Sequence, residues 1–182
     1  MSKLRFSRAL DVASGVGHFT PRILSLSDEV VCADVSVAAL RRDRLAPHRL
    51  ASSMAEIPFA DGSFDCLLCM ESLYYLTPQD RERALAEFSR VLKPSGSLVV
   101  SVWTQNGIRV ITGQPTIEED ELREMLRHHG FSVIRRTTTA TALERTGIRS
   151  SPRIYGLSLT LAEALPFLRT HVALLASKDS QT

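Results

Sequence analysis

The chain has 182 residues, 44% of them apolar, with 22 basic and 20 acidic side chains and a formal net charge of +2. That is one domain's length with enough apolar material for a core without disulfides, and no global field directs it to nucleic acid or an anionic surface. No apolar run reaches the roughly 18 residues of a membrane span and the first residues lack a secretory h-region, so a cytoplasmic protein with neither nucleic-acid nor membrane partner is expected.

Short apolar runs alternate with longer helical stretches, the pattern of a parallel sheet covered by helices on both faces. The first strand is predicted over 8–13 and is followed by a helix over 18–26 with Pro21 in its first turn. A second strand over 30–34 precedes a helix over 37–45, capped by Ser36 and closed by Pro47. A short third strand is expected at 49–53 and a turn-rich loop at 57–63. Residues 64–70 are almost continuously apolar, as a strand buried on both faces must be. Thr77 and Pro78 open a helix that runs to Leu92, with Ala84, Leu85, Phe88, Val91 and Leu92 on one face, and Lys93-Pro94-Ser95-Gly96 ends it. A fifth strand is predicted over 97–103. Thr116 is the expected cap of a helix with Glu118 and Glu119 in its first turn and Arg127, His128 and His129 in its last, ended by Gly130. Strands over 131–137 and 171–177 complete the set; between them only a short helix, over 160–165, is legible.

Cys32, Cys66 and Cys69 lie in strand-like runs and read as reduced core residues. Cys66 and Cys69 form a C-x-x-C, but positions three apart on a strand face opposite sides, so neither a redox pair nor a zinc half-site is expected, and no metal is assigned. Arginine supplies 19 of the 22 basic residues. Its clusters at Arg41, Arg42, Arg44 and Arg49, and at Arg135, Arg136, Arg145, Arg149 and Arg153, read as solvated faces, the alternative being a patch for an anionic substrate or RNA.

The most informative stretch is Leu-Asp-Val-Ala-Ser-Gly-Val-Gly at 10–17, an apolar strand running into a glycine-containing turn and a helix start. Gly15 and Gly17 let the backbone turn sharply and let a ligand lie against the main chain. Asp34 ends the next apolar run, where a carboxylate accepts hydrogen bonds from both ribose hydroxyls. Turn and acid together point to an adenosine-type ligand. A nicotinamide-dependent oxidoreductase shares these features, although Thr20 stands where G-x-G-x-x-G requires its third glycine.

With these residues in place, the chain resembles the class I S-adenosylmethionine (SAM) dependent methyltransferases over about residues 9–102. Ile-Pro-Phe-Ala-Asp-Gly-Ser-Phe-Asp at 57–65 resembles the family's loop before the fourth strand, and Val-Leu-Lys-Pro-Ser-Gly-Ser-Leu-Val-Val at 91–100 its passage into the fifth. Glu-Ser-Leu-Tyr-Tyr-Leu at 71–76 is similar to a segment of the nodulation N-methyltransferases. The resemblance implies a Rossmann-like, doubly wound α/β sheet of seven strands, the last antiparallel. It implies one domain over 1–182, with the cofactor core at 9–103 and the acceptor side and sheet completion at 104–182. Asp11, Ala13, Ser14, Gly15 and Gly17 should surround the methionine part of SAM, Asp34 the ribose, and Val35 the adenine. Ser53 and Met54 should meet the adenine edge and face, and Met70 and Glu71 should line the point where the methyl emerges.

Departures from the family pattern are Ala13, usually glycine, and Ser53, usually an acid that binds the adenine amino group. Family members also carry helices before the first strand, where this chain has about seven residues. The open alternatives are a lid that is absent, truncated, or supplied by a second chain in a homodimer.

Methyl transfer is an in-line displacement in which the protein mainly aligns the reacting atoms and excludes water. A hydroxyl acceptor also needs a base within hydrogen-bond reach. Glu71, Tyr74 and Tyr75 follow the fourth strand at the edge where open α/β sheets bind ligands, and are the expected catalytic, acceptor-side residues. The two tyrosines also suit ordinary packing, as do Trp103 and Tyr155, whose alternative is the lining of an aromatic acceptor pocket. The expected function is methyl transfer to an amine or hydroxyl of a small molecule, with acceptor specificity in 104–114 and 139–170. The alternatives are the oxidoreductase and a non-catalytic binding or partner subunit.

Overall fold

Residues 5–104, 115–139 and 171–180 are described by the computed structural model. Seven strands form one sheet in the order β3-β2-β1-β4-β5-β7-β6. They are β1 (Phe6–Val12), β2 (Ser27–Asp34), β3 (His48–Ala51), β4 (Phe64–Met70), β5 (Leu92–Trp103), β6 (Phe131–Thr139) and β7 (His171–Lys178). The pairings among β1 to β5 are parallel, whereas β7 runs antiparallel to both β5 and β6. The expected α/β sheet with a reversed last strand is therefore present, with β7 inserted between β5 and β6 rather than at the edge. The chain leaves β1 toward β2 on one side and reaches β4 on the other, and a crevice opens at such a reversal beyond the strands' carboxyl ends.

Among the described residues four helices, α1 (Thr20–Leu24), α2 (Val37–Arg42), α3 (Pro78–Val91) and α4 (Glu119–His128), accompany the strands, with a 3-10 turn at Leu73–Tyr75. In α3 the Thr77 side chain caps the Asp80 N–H and donates to the Asp80 carboxylate, while Ala84, Leu85, Phe88 and Val91 are buried on one face. Arg90 at its last turn donates to the Ile57 and Phe59 carbonyls at 2.8 and 2.7 Å, stapling the 57–63 loop to the helix. Cys66 and Cys69 join different apolar clusters, one on each face of the sheet, and all three thiols are free. Burial pushes both thiols up to about 12. Among the described residues, no helix is long and apolar enough to cross a membrane.

Several boundaries differ from expectation for local reasons. The first helix is only Thr20–Leu24, because the Leu26 carbonyl already takes the Phe6 N–H at the start of the sheet. The second stops at Arg42, where Asp43 turns the chain and its carboxylate accepts the N–H groups of Leu45 and Ala46. Ser52 and Ser53 leave β3 for a loop. Thr116 does not cap α4: the Ile117 N–H is held by the Trp103 carbonyl at 2.9 Å and Ile117 is fully buried, so helix starts only after Glu118. Residues 93–96, expected to end the helix ahead of a strand starting at 97, are an irregularity inside β5. Leu92 already pairs with Phe64 and the register shifts before Cys66. The predicted helix over 160–165, Tyr155, Arg145, Arg149 and Arg153 lie outside the described residues.

Candidate functional site

Two adjoining cavities open at the carboxyl edge of β1, β2, β3 and β4. The first, about 330 Å3, is bordered by Asp34, Val35, Ser52, Ser53, Met54 and Tyr75 among others. The second, about 470 Å3, is bordered by Asp11, Ser14, Gly15, His18 and Phe19. Ala13, Met70 and Glu71 belong to both, so these three form the seam of one groove.

The turn after β1 bends through Ala13, Gly15 and Gly17, all at positive φ (54°, 58° and 82°). Ala13 thus holds a left-handed conformation that glycine would adopt without strain, which explains the family's preference there. The turn is tied to its neighbours by the Ser14 N–H on the Ala33 carbonyl and the Gly17 N–H on the Ser14 carbonyl, each at 3.0 Å. Gly17 borders neither cavity; it is packed against Asp43 behind the turn. Asp34, at the end of β2, accepts the Gly15 N–H on Oδ2 and the Ser36 N–H on Oδ1, both at 2.8 Å. These bonds aim the carboxylate at the groove and leave lone pairs for a diol. Ser36, not Asp34, caps α2, accepting the Ala39 N–H.

Three of the five buried side-chain polar atoms without a hydrogen-bond partner among the described residues belong to residues that border this groove: Asp11 Oδ2, Ser14 Oγ and Ser52 Oγ. An unsatisfied buried polar atom is costly, so its concentration here fits a polar ligand. Asp11 is 1% exposed, and burial, with the Asp43 and Asp34 charges adding to it, raises its carboxyl to about 7. A carboxylate and a hydroxyl at one end suit the ammonium and carboxylate of an amino acid. The acid and apolar walls at the other end suit an adenosine. The residues present therefore fit SAM.

Glu71 is held in an unusual way. Its φ is 54°, its N–H is shared by the Ser101 carbonyl and Oγ at 3.0 and 3.1 Å, and Ser101 Oγ donates to its Oε1 at 2.6 Å. His171 Nε2 stands 3.1 Å from Oε2. Tyr74 is withdrawn into the core, 5% exposed, with its hydroxyl 3.5 Å from Oε2, while Tyr75 is 68% exposed on the rim. Of the expected trio, Tyr74 thus donates to the Glu71 carboxylate from the core side and Tyr75 stands on the rim. Sequence reasoning missed Ser52, Ser101 and His171. The signal for His171 was present: the first residue of a reversed last strand must sit at the edge where the parallel strands end.

An α/β sheet with a glycine turn after β1, an acid at the end of β2 and a reversed last strand is the methyltransferase class of this fold. The methyltransferase domain family model matches residues 10–100, half of the chain, and the chain belongs to this family of class I SAM-dependent methyltransferases. It is 35% identical to the ubiquinone/menaquinone biosynthesis C-methyltransferase of Proteus mirabilis over 108 residues, covering 53% of this chain and 42% of that protein. It is 29% identical to the O-methyltransferase cnsE of Penicillium expansum over 182 residues, covering 87% of this chain and 63% of the relative. The chain thus spans less than two thirds of these curated relatives. Its fold matches that of the N-methyltransferase NodS from Bradyrhizobium japonicum in complex with S-adenosyl-L-homocysteine, with a TM-score of 0.70 and 15% identity. That match covers 96% of this chain and 79% of the other.

Proposed function

We propose that the chain binds SAM in the groove and methylates an amine or hydroxyl of a small molecule, with Glu71 as the acceptor-side carboxylate. The observation that carries this reading is the place of Glu71 on the seam of the two cavities. SAM supplies an electrophilic methyl: the acceptor–CH3 bond forms as the S–CH3 bond breaks and its electron pair returns to sulfur. Asp11 and Ser14 hold the amino-acid end and Asp34 the ribose. Glu71 takes the proton that the nucleophile sheds, or faces the positive charge an amine acquires before shedding it. Met70, beside it, keeps that end of the groove apolar.

The test is calorimetry with SAM, S-adenosylhomocysteine and NADH, followed by mass spectrometry of mixtures containing SAM and a panel of amines and hydroxyl compounds. Micromolar binding of the two sulfur nucleosides, none of NADH, and a product heavier by one CH2 unit are expected. No heat with either sulfur nucleoside would overturn the reading in favour of a non-catalytic subunit. The identity to a C-methyltransferase favours a second reading, a carbon nucleophile made reactive when Glu71 deprotonates a neighbouring phenol; NMR of the product separates the two.

A further inference from the structure

The antiparallel course of β7 has a chemical consequence. Parallel strands all end at the ligand edge, so a reversed strand begins there, and β7 begins with His171. In the ladder His171 pairs with Trp103 and Ala173 with Ser101, which places His171, Trp103 and Ser101 on the same face of the sheet. Met70 of β4 pairs with Ser101 from the other side, and the left-handed backbone of Glu71 that follows breaks the strand alternation and brings its carboxylate to Ser101. The Trp103 and His171 rings lie 3.9 Å apart between centroids, and the histidine side chain is 11% exposed.

We propose that His171 is a positioning residue that, with Ser101, clamps the Glu71 carboxylate toward the seam of the groove, the place where the donor's methyl would face its acceptor. This rests on the reading of Glu71 given above. Ser101 donates to Oε1, while Oε2 lies 3.1 Å from His171 Nε2 and also takes the Tyr74 hydroxyl at 3.5 Å, so both oxygens are restrained. Ser101 is 3% exposed and its hydroxyl is fully committed, accepting the Glu71 N–H while donating to the carboxylate. An imidazole donates through Nε2 to Oε2 as the Nε2–H tautomer or as the cation. A glutamate free to rotate would lose this aim, because a side chain with three torsions otherwise samples many rotamers. Such a wall selects acceptors that release a proton or bear a positive charge at the methylated atom.

Sinefungin tests this without an acceptor, since it carries a primary ammonium group on the carbon that replaces the sulfonium centre. Its affinity relative to that of S-adenosylhomocysteine reads the negative charge at the seam, and the ratio cancels any general loss of binding. In the wild type the ratio should favour sinefungin by about tenfold. It should collapse in Glu71→Gln, fall about fivefold in His171→Phe and in Ser101→Ala, and stay within about twofold of wild type in His171→Gln, whose amide keeps an N–H donor near Oε2. Equal ratios in His171→Phe and wild type, with Glu71→Gln still collapsed, would overturn the role of His171 alone. A ratio unmoved by Glu71→Gln would overturn the reading of Glu71 as well. If His171→Phe does not fold, His171→Leu takes its place, because it removes the donor with a smaller side chain and the clamp requires it to lower the ratio.

Discussion

A Cβ on Gly17 would lie 2.1 Å from Cγ of Asp43 and 2.2 and 2.5 Å from its carboxylate oxygens, so the buried acid fills the space any side chain there would need. Asp43 cannot readily withdraw: Thr20 Oγ1 donates to it at 2.6 Å, Leu45 and Ala46 donate their N–H groups, and Arg49 binds its carbonyl. Gly17→Ala should therefore cost about 3 kcal/mol in folding, combining overpacking with a left-handed φ. Gly15 has φ 58° but open space beyond its Cα, so Gly15→Ala should cost only about 1 kcal/mol in folding while weakening SAM by placing a methyl in the groove. Denaturant melts of both variants, each with and without SAM, check the contrast; equal destabilisation would refute it.

Asp11 sets a pH dependence. Its carboxyl is raised from 3.8 to about 7 in the folded protein, first by burial and then by Asp43 and Asp34. A folded value above the unfolded one means that the neutral acid stabilises the fold fully below about 3.8, and that this contribution is lost as pH rises through about 7. The swing is of order 4 kcal/mol. Asp11→Asn should accordingly melt higher than the wild type at pH 8 and gain nothing near pH 4. Parallel melting curves for the two proteins across that range would remove the buried-acid account.

Ala13 holds φ 54° on the seam of both cavities. Ala13→Gly relieves about 1 kcal/mol of left-handed strain, and the greater freedom of glycine in the unfolded chain offsets about half of that. The expected outcome is a melting temperature raised by about 1 to 2 °C and tighter SAM binding, because a methyl leaves the groove. Calorimetry and a thermal melt measure both; looser binding would show that the Ala13 methyl is a useful contact.

Ser53 lies on the first cavity, where the family pattern has an acid, and its Oγ accepts the Ala55 N–H at 3.1 Å. An aspartate can keep that local bond with one oxygen and offer the other to the adenine amino group. Ser53→Asp should tighten SAM about tenfold, the worth of one charge-assisted hydrogen bond. S-Inosylhomocysteine, which lacks the amino group, should gain nothing, and an equal gain for both ligands would rule out this contact.

Much of the sheet was legible because its signals are local. The buried strand at Phe64–Met70 matched its prediction residue for residue, since a doubly buried strand needs an unbroken apolar run. Ser36 and Thr77 cap the helices they were expected to cap, because a cap bond spans only three residues. Thr116 misled for the converse reason: its helix start was decided by the bond from Ile117 to Trp103, and no local pattern encodes a partner on another strand. The same holds for Asp43, which falls inside the helix expected over 37–45 and proves to be the packing partner of Gly17.

Sequence alone determined the strand and helix order, the glycine turn and the acid after the second strand, because periodicity, capping and turn chemistry act between residues a few positions apart. Only the tertiary structure decided that β7 enters between β5 and β6, that Ser14 and Ser52 are left without partners on the groove, and that Tyr74 faces the core while Glu71 faces the seam. The physical reason is distance along the chain. Ser101 and His171 meet Glu71 through parallel and antiparallel ladders whose register is set by the burial of whole strand faces, a sum over many contacts that no short window of residues contains.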